Sequence, residues 1–249
     1  MARVLRRNRA WLAGHGDEPM TASQVKAFDA LARRRREGEP VAYLIGRREF
    51  YGLDLEVTPD VLIPRPETEL LVELALIRID AGKDTEVLDL GSGCGAVALA
   101  IASERPRCTV LGVDVSDAAL ALARRNASRL KLSNATFIES DWFTEVPNRR
   151  YHAIVANPPY VASGDPHLIE GDLRFEPPLA LAAGVDGLAS IRAIIDGAGA
   201  YLSPGASLLI EHGHDQADAV QSMLRAAGFS DVQSRRDLAG ISRAALGRM

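Results

Sequence analysis

A chain of 249 residues with 47% hydrophobic and 25% charged content lies in the ordinary globular range, enough for one α/β core and a small appendage. Its longest apolar stretches, residues 97–102 and 191–200, break off well before the roughly 20 apolar residues a membrane span needs, and no signal-like apolar run follows the basic start at Arg3, Arg6, Arg7 and Arg9. A net charge of -4 is the wrong sign for a protein that neutralises many duplex phosphates, and Cys94 and Cys108, without CxxC spacing, fit neither a disulfide framework nor a structural zinc.

In chain order, residues 23–37 place Val25, Phe28, Leu31 and Ala32 on a helical stripe that ends in Arg33, Arg34, Arg35 and Arg36, a solvated helix end favoured by the helix dipole. Residues 41–58 turn to β-branched and aromatic residues, VAYLIGRREF and then YGLDLEVTP, which predict a β-hairpin turning near Tyr51-Gly52. In Ile63-Pro64-Arg65-Pro66 the prolines hold the backbone extended and Pro66 opens a helix over residues 67–79. After Lys83 short apolar strands (TEVLDLG, CTVLGVDV, ATFIESD, YHAIVANPP) alternate with helices, among them residues 96–104 and 117–130. This is the sequence form of a parallel sheet covered on both faces. A polar loop over residues 161–178, a helix over 190–202, the strand GASLLIEHG, a helix over 215–227 and two terminal strands complete the pattern. The expected division is a helical N-terminal region (residues 1–40), a hairpin linker (41–58) and an α/β domain (59–249).

The first parallel strand runs into Gly91-Ser92-Gly93-Cys94-Gly95, directly ahead of a helix. Such a turn uses glycine because the backbone bends sharply and meets a ligand with no Cβ in the way. The spacing is GxGxG, not the GxGxxG of dinucleotide folds, and it suits S-adenosylmethionine, which brings no pyrophosphate to the helix N-terminus. Alone, it is equally a tight turn. The second strand ends at Asp114, about twenty residues on, where an acid accepts both ribose hydroxyls; the same residue also suits a helix cap. Trp142, after the third strand, offers a flat face to an adenine, or is an ordinary core aromatic. Cys94 in the turn is read as packing, and Glu211-His212-Gly213-His214 as no metal site, for want of a third ligand.

Asn157-Pro158-Pro159-Tyr160 stands at the exit of the fourth strand, where doubly wound sheets bind ligands. The two prolines remove backbone donors and leave the carbonyls of Asn157 and Pro158 free. A substrate NH₂ bonded to the Asn157 side-chain oxygen and the Pro158 carbonyl is held for attack on a sulfonium methyl, and Tyr160 stacks on its planar π system. An amide or aromatic amino nitrogen is a poor nucleophile, so acceptors that strengthen as positive charge develops on it stabilise the transition state selectively. A proline-rich strand exit without chemistry is the plain alternative.

These residues together resemble the HemK/PrmC type of release-factor glutamine methyltransferases, from about Arg7 to the C-terminus: GEPVAYLIGRREFYG, LIPRPETE, DLGSGCGAVALAIASERP, SDWF, NPPY, HLIEGDLRFEP, IEHG and the closing LGR. The resemblance implies a Rossmann-like class I methyltransferase fold, a mostly parallel seven-stranded sheet with an antiparallel strand. It implies N5-methylation of the glutamine in the Gly-Gly-Gln motif of class I peptide chain release factors. By motif position, Gly91, Ser92, Gly93, Cys94, Gly95, Asp114, Trp142 and Asn157 contact S-adenosylmethionine. Asn157, Pro158, Pro159 and Tyr160 hold the glutamine, with Arg65 and Glu176 placed near the substrate. Members usually begin with a longer helical domain, of which only the last portion is matched here. The expectation is a cytoplasmic monomer without membrane or direct nucleic-acid partners. The competing readings are an adenine-amino (N6) nucleic-acid methyltransferase, which shares NPPY, and a cofactor-binding module without transfer activity.

Overall fold

Two short helices, α1 (Ala2–Leu5) and α2 (Arg9–Gly14), precede α3 (Ala22–Arg36) in the computed structural model, which describes residues 1–249, Arg9 through its backbone alone. Thr21 and Gln24 close a reciprocal capping box at the start of α3, and four arginines fill its last turn. The stripe expected on α3 is not buried, and Val25 remains exposed. What ties this end of the chain down is polar: Arg35 pairs with Asp172 at 3.3 Å, and Arg174 donates to the Glu37 carbonyl at 2.6 Å.

Residues 41–45 depart from the expected hairpin strand and form a helical turn, α4 (Val41–Ile45). Pro40 precedes it and Gly46 follows with φ 69°, the punctuation of a helix start and stop, and this outweighs the β-propensity of a short run. The hairpin proper is β1 (Arg47–Phe50) and β2 (Leu53–Glu56), antiparallel, with Phe50 opposite Leu53. Tyr51 and Gly52 turn it with φ 50° and 74°, the paired positive angles that a two-residue turn between twisted strands requires.

A 3-10 lead-in (Pro66–Thr68) opens α5 (Glu69–Arg78), and the alternation follows: β3 (Thr85–Leu90), α6 (Ala96–Glu104), β4 (Cys108–Asp114), α7 (Asp117–Leu130), β5 (Ala135–Glu139) and β6 (Tyr151–Ala156). Beyond a loop of short 3-10 turns come α8 (Ala189–Ala198), β7 (Leu202–Glu211), α9 (Ala217–Ala226), β8 (Ser230–Arg236) and β9 (Ser242–Arg248). The seven strands lie in the order β5-β4-β3-β6-β7-β9-β8; all neighbours are parallel except that β9 runs antiparallel to both β7 and β8.

One core packs α5, α6, α7 and the hairpin on one face of this sheet, and a second packs α8 and α9 on the other. Hence β3 is buried on both sides, with Val87 in the first core and Leu88 and Leu90 in the second. The chain order reverses between β3 and β6, so their C-terminal ends open side by side into the crevice where such sheets bind ligands. No helix among the described residues is long and apolar enough to cross a membrane.

Candidate active site

The glycine turn leaves β3 at that crevice with Gly91, Gly93 and Gly95 at φ 73°, 54° and 85°, angles that a side chain rarely tolerates. Each glycine meets a different constraint. A Cβ on Gly95 would press to 3.1–3.2 Å from Leu99, Phe137 and Ala123, so this glycine serves packing, whereas a Cβ on Gly93 would meet nothing within 4 Å and would point into open space. A Cβ on Gly91 would lie 3.6 Å from the Trp142 ring and 4.0 Å from the Asn157 carbonyl, so the turn, the indole and the β6 exit converge there.

With Gly95 as its N-cap, α6 has no capping side chain of its own. Asp89, buried at the end of β3, supplies one: its Oδ2 accepts from the Ala98 amide at 3.2 Å and from the Ser92 hydroxyl at 2.8 Å. Burial pushes this carboxyl up to about 7, against the pull of those two hydrogen bonds. Sequence reasoning passed over Asp89, although it is the acid that opens the glycine motif.

Asp114 ends β4 with Oδ2 accepting from the Gly93 amide at 2.8 Å and Oδ1 from the Ser116 amide at 3.0 Å. It is not the cap of α7; that is Ser116, whose hydroxyl accepts from the Ala119 amide. A carboxylate offers about four lone-pair sites, so Asp114 retains acceptor capacity toward the crevice. Trp142 sits at φ 49°, a conformation held by the buried Ser140 hydroxyl, which donates to the Trp142 carbonyl and accepts from the Glu145 amide, both at 3.0 Å.

On the acceptor side, the Asn157 side-chain Nδ2 donates to the Thr68 hydroxyl at 3.1 Å, across 89 residues of sequence. The Asn157 Oδ1 and the Pro158 carbonyl take no hydrogen bond from the described residues, which leaves two acceptors. Tyr160 is held at both ends: its carbonyl accepts from Gln216 Nε2 at 3.0 Å, and its hydroxyl donates to Glu211 Oε1 at 3.3 Å. Burial raises the Tyr160 phenol, and the Glu211 carboxylate adds to that shift. Glu211 itself is pushed by burial up to about 7, with Thr68 and Tyr160 pulling it down. His212, next along, is buried and held below its ordinary value by desolvation, while the His214 side chain is 74% exposed, so the two histidines occupy unlike environments.

A cleft of about 390 Å³ joins the two sides, lined by Gly91, Ser92, Gly93, Cys94, Asp114 and Trp142 on one flank and by Thr68, Asn157 and Pro159 on the other. Cys94 is buried, and burial drives its thiol up to about 12. Arg65 and Glu176 come together as an ion pair, Arg65 Nη2 reaching both carboxylate oxygens at 2.8 and 2.7 Å, with the Glu176 side chain fully buried. They meet each other rather than the cleft, but their neighbours Pro64 and Pro177 line it. Gly95, Pro158 and Tyr160 are not among its lining. Thr68 and Glu211 were missed as site residues; the signal was their place inside the LIPRPETE and IEHG blocks. An open-edged glycine turn, an acid with spare lone pairs and an adjacent indole fit the amino-acid, ribose and adenine parts of S-adenosylmethionine.

Comparison with known proteins follows the same lines. The family model described as Methyltransferase small domain matches residues 67–170, and that described as PrmC N-terminal domain matches residues 1–46. A release factor glutamine methyltransferase from Burkholderia pseudomallei is 54% identical, covering 100% of this chain and 90% of its own length. One from Xylella fastidiosa is 51% identical, covering 97% of this chain and 88% of its own length. Among solved structures, a methyltransferase from Pyrococcus furiosus matches with a TM-score of 0.61 at 19% identity, over 87% of this chain and 96% of that one, a likeness of fold.

Proposed function

The chain belongs to the release factor glutamine methyltransferase family, and on that footing we propose that it methylates the N5 side-chain amide nitrogen of the glutamine in the Gly-Gly-Gln motif of class I peptide chain release factors. The methyl donor is S-adenosylmethionine, whose sulfonium methyl passes to the nitrogen and leaves a neutral thioether, while the methylated nitrogen gives up one proton to water. The observation that carries the reading is the Asn157 amide, which lines the cleft: its Nδ2 is engaged by Thr68, which leaves Oδ1 as the end of the amide free to accept from a substrate.

In this reading the glutamine NH₂ gives one N–H to Asn157 Oδ1 and the other to the Pro158 carbonyl. Both acceptors tighten as positive charge grows on nitrogen, so they favour the transition state over the bound substrate. Fixing the nitrogen in line with the methyl removes much of the entropic barrier. Gly91, Ser92, Gly93 and Cys94 form the floor under the donor's amino-acid part with Gly95 packed behind them, Asp114 accepts from its ribose hydroxyls, and Trp142 flanks its adenine. Pro159 and Tyr160 fix the strand exit, and Tyr160 is placed by its bonds to Gln216 and Glu211 rather than by stacking alone.

Arg65 and Glu176 act on the substrate through the loop they clamp, since their charges are spent on each other. Residues 1–40, with the helical turn and hairpin of residues 41–58, present the release factor, and residues 59–249 carry out transfer. One copy holds the whole cleft, so a monomer suffices. The test is incubation with labelled S-adenosylmethionine and either a purified release factor or duplex DNA, followed by mass mapping. Label on the glutamine is expected; label on adenine overturns the reading.

A further inference from the structure

The glycine turn under the donor is tied to a helix that the transfer chemistry above does not use. Three of its residues are glycines at positive φ, so its backbone has many conformations open to it and keeps one only where its peptides are held. Most of the ties are local. The Gly91 and Ser92 amides donate to the Val113 carbonyl, both at 2.9 Å, the Gly93 amide to Asp114 at 2.8 Å, and the Gly95 amide to the Ser92 carbonyl at 2.8 Å. A further tie comes from outside that unit: Asn126, on α7 and fully buried, donates from Nδ2 to the Cys94 carbonyl at 3.0 Å. The peptide between Cys94 and Gly95, at the N-cap of α6, is therefore held at both its ends.

The same side chain reaches the hairpin. Its Oδ1 accepts from the Glu56 amide at 2.8 Å and its Nδ2 donates to the Glu56 carbonyl at 3.0 Å, so it meets the end of β2 as a neighbouring strand's peptide would. We infer that Asn126 is a positioning residue for the methyl donor, holding the Cys94 carbonyl from behind and so fixing the glycine turn in the shape that seats S-adenosylmethionine. Glu56 anchors the amide at two points, which gives the third bond a fixed origin. Only a side chain with one acceptor and two protons serves both places; a carboxyl of the same shape has at most one proton to give and cannot satisfy the Glu56 and Cys94 carbonyls together. Released from Asn126, a buried carbonyl loses its partner, and the peptide can turn about Gly95, whose backbone resists rotation least.

This inference rests on the proposed seat of the donor at the turn, and calorimetry with S-adenosylhomocysteine on the full chain tests it. Asn126→Asp and Asn126→Ala are each expected to weaken binding by about tenfold, the scale of one buried hydrogen bond. KM for S-adenosylmethionine should rise by a similar factor, while kcat at saturating donor stays within about twofold. Loss of a buried amide also costs stability, so Leu122→Ala, at a buried position on the same helix, serves as the control: it should unfold at lower urea yet bind S-adenosylhomocysteine as the wild type does. Arg125→Ala, which removes an ion pair to Glu56 and leaves Asn126 in place, should bind normally too. By hydrogen exchange, the Gly95 amide should open faster in Asn126→Asp than in Leu122→Ala. If Asn126→Ala fails to fold, Asn126→Asp decides. Wild-type affinity in Asn126→Asp, or an equal loss in Leu122→Ala or Arg125→Ala, overturns the assignment. Failure of the donor seat itself looks different, because Asp114→Ala would then also bind S-adenosylhomocysteine with undiminished affinity.

Discussion

The two flanks of the cleft each bury one carboxyl pushed up to about 7, and they differ in where its partners come from. Asp89 finds Ser92 three residues on and Ala98 nine residues on, and its work is finished inside one strand-turn-helix unit. Glu211 meets Tyr160 across 51 residues, and Thr68 meets Asn157 across 89. The buried acid of the donor flank is thus wired within one strand-turn-helix unit, although Asp114 and Trp142 join that flank from the ends of β4 and β5, whereas the buried acid of the acceptor flank meets a side chain from beyond β6. An acid wired locally is set as soon as its unit forms. One wired across elements depends on the sheet being assembled.

If the flanks are separate devices, damage to one should leave the other working. Asn157→Ala is expected to lower kcat by about a hundredfold or more, the scale of losing a group that stabilises developing charge, while S-adenosylhomocysteine affinity holds. Unchanged turnover would break the assignment of the acceptor flank, and a parallel loss of affinity would break the separation. The mirror experiment is smaller. Asp114→Ala removes a charged acceptor that also fixes the Gly93 amide, and calorimetry should find S-adenosylmethionine bound about tenfold to a hundredfold more weakly. With saturating donor, kcat should recover most of its value. Equal affinity in the variant would show that Asp114 serves the turn alone.

The same difference explains what the sequence made legible. The alternation of strands and helices, the glycine turn, Asp114 and Asn157 are local signals, and the structure brings them to one crevice because the switch between β3 and β6 falls there. Thr68 and Glu211 carry only their place in the LIPRPETE and IEHG blocks: by residue type, a threonine before a helix and a glutamate at a strand end are ordinary until the fold sets them against Asn157 and Tyr160. Arg65 and Glu176 show the converse, since block membership placed them near the substrate but not their partnership with each other. Residues 41–45 were misjudged for a physical reason of a third kind. Five residues are too few for periodicity to decide, and the flanking Pro40 and Gly46 spoke more clearly than the β-branched and aromatic residues between them.

The smallest effect tests whether the two buried acids are alike beneath their different wiring. Asp89 ordinarily titrates near 3.8 and in the fold near 7, so between those values the native protein keeps a proton that the unfolded chain has released. Folding stability from this group is therefore full below about pH 4 and falls as pH rises toward about 7, by at most about 1.4 kcal/mol per pH unit. His212 works in the opposite sense, because its lowered value makes the unfolded chain the one that holds the extra proton on the acid side of 6.5. The bare pH profile mixes the two, and a difference between variants separates them. In urea unfolding, Asp89→Asn should gain stability relative to wild type as pH rises from about 4 to about 7 and change little outside that window. Glu211→Gln should follow over a narrower span, since its ordinary value of 4.5 lies closer to its folded one. If Asp89→Asn tracks wild type at every pH, the local hydrogen bonds from Ser92 and Ala98 offset the burial in full. The two acids would then differ in charge state as well as in wiring.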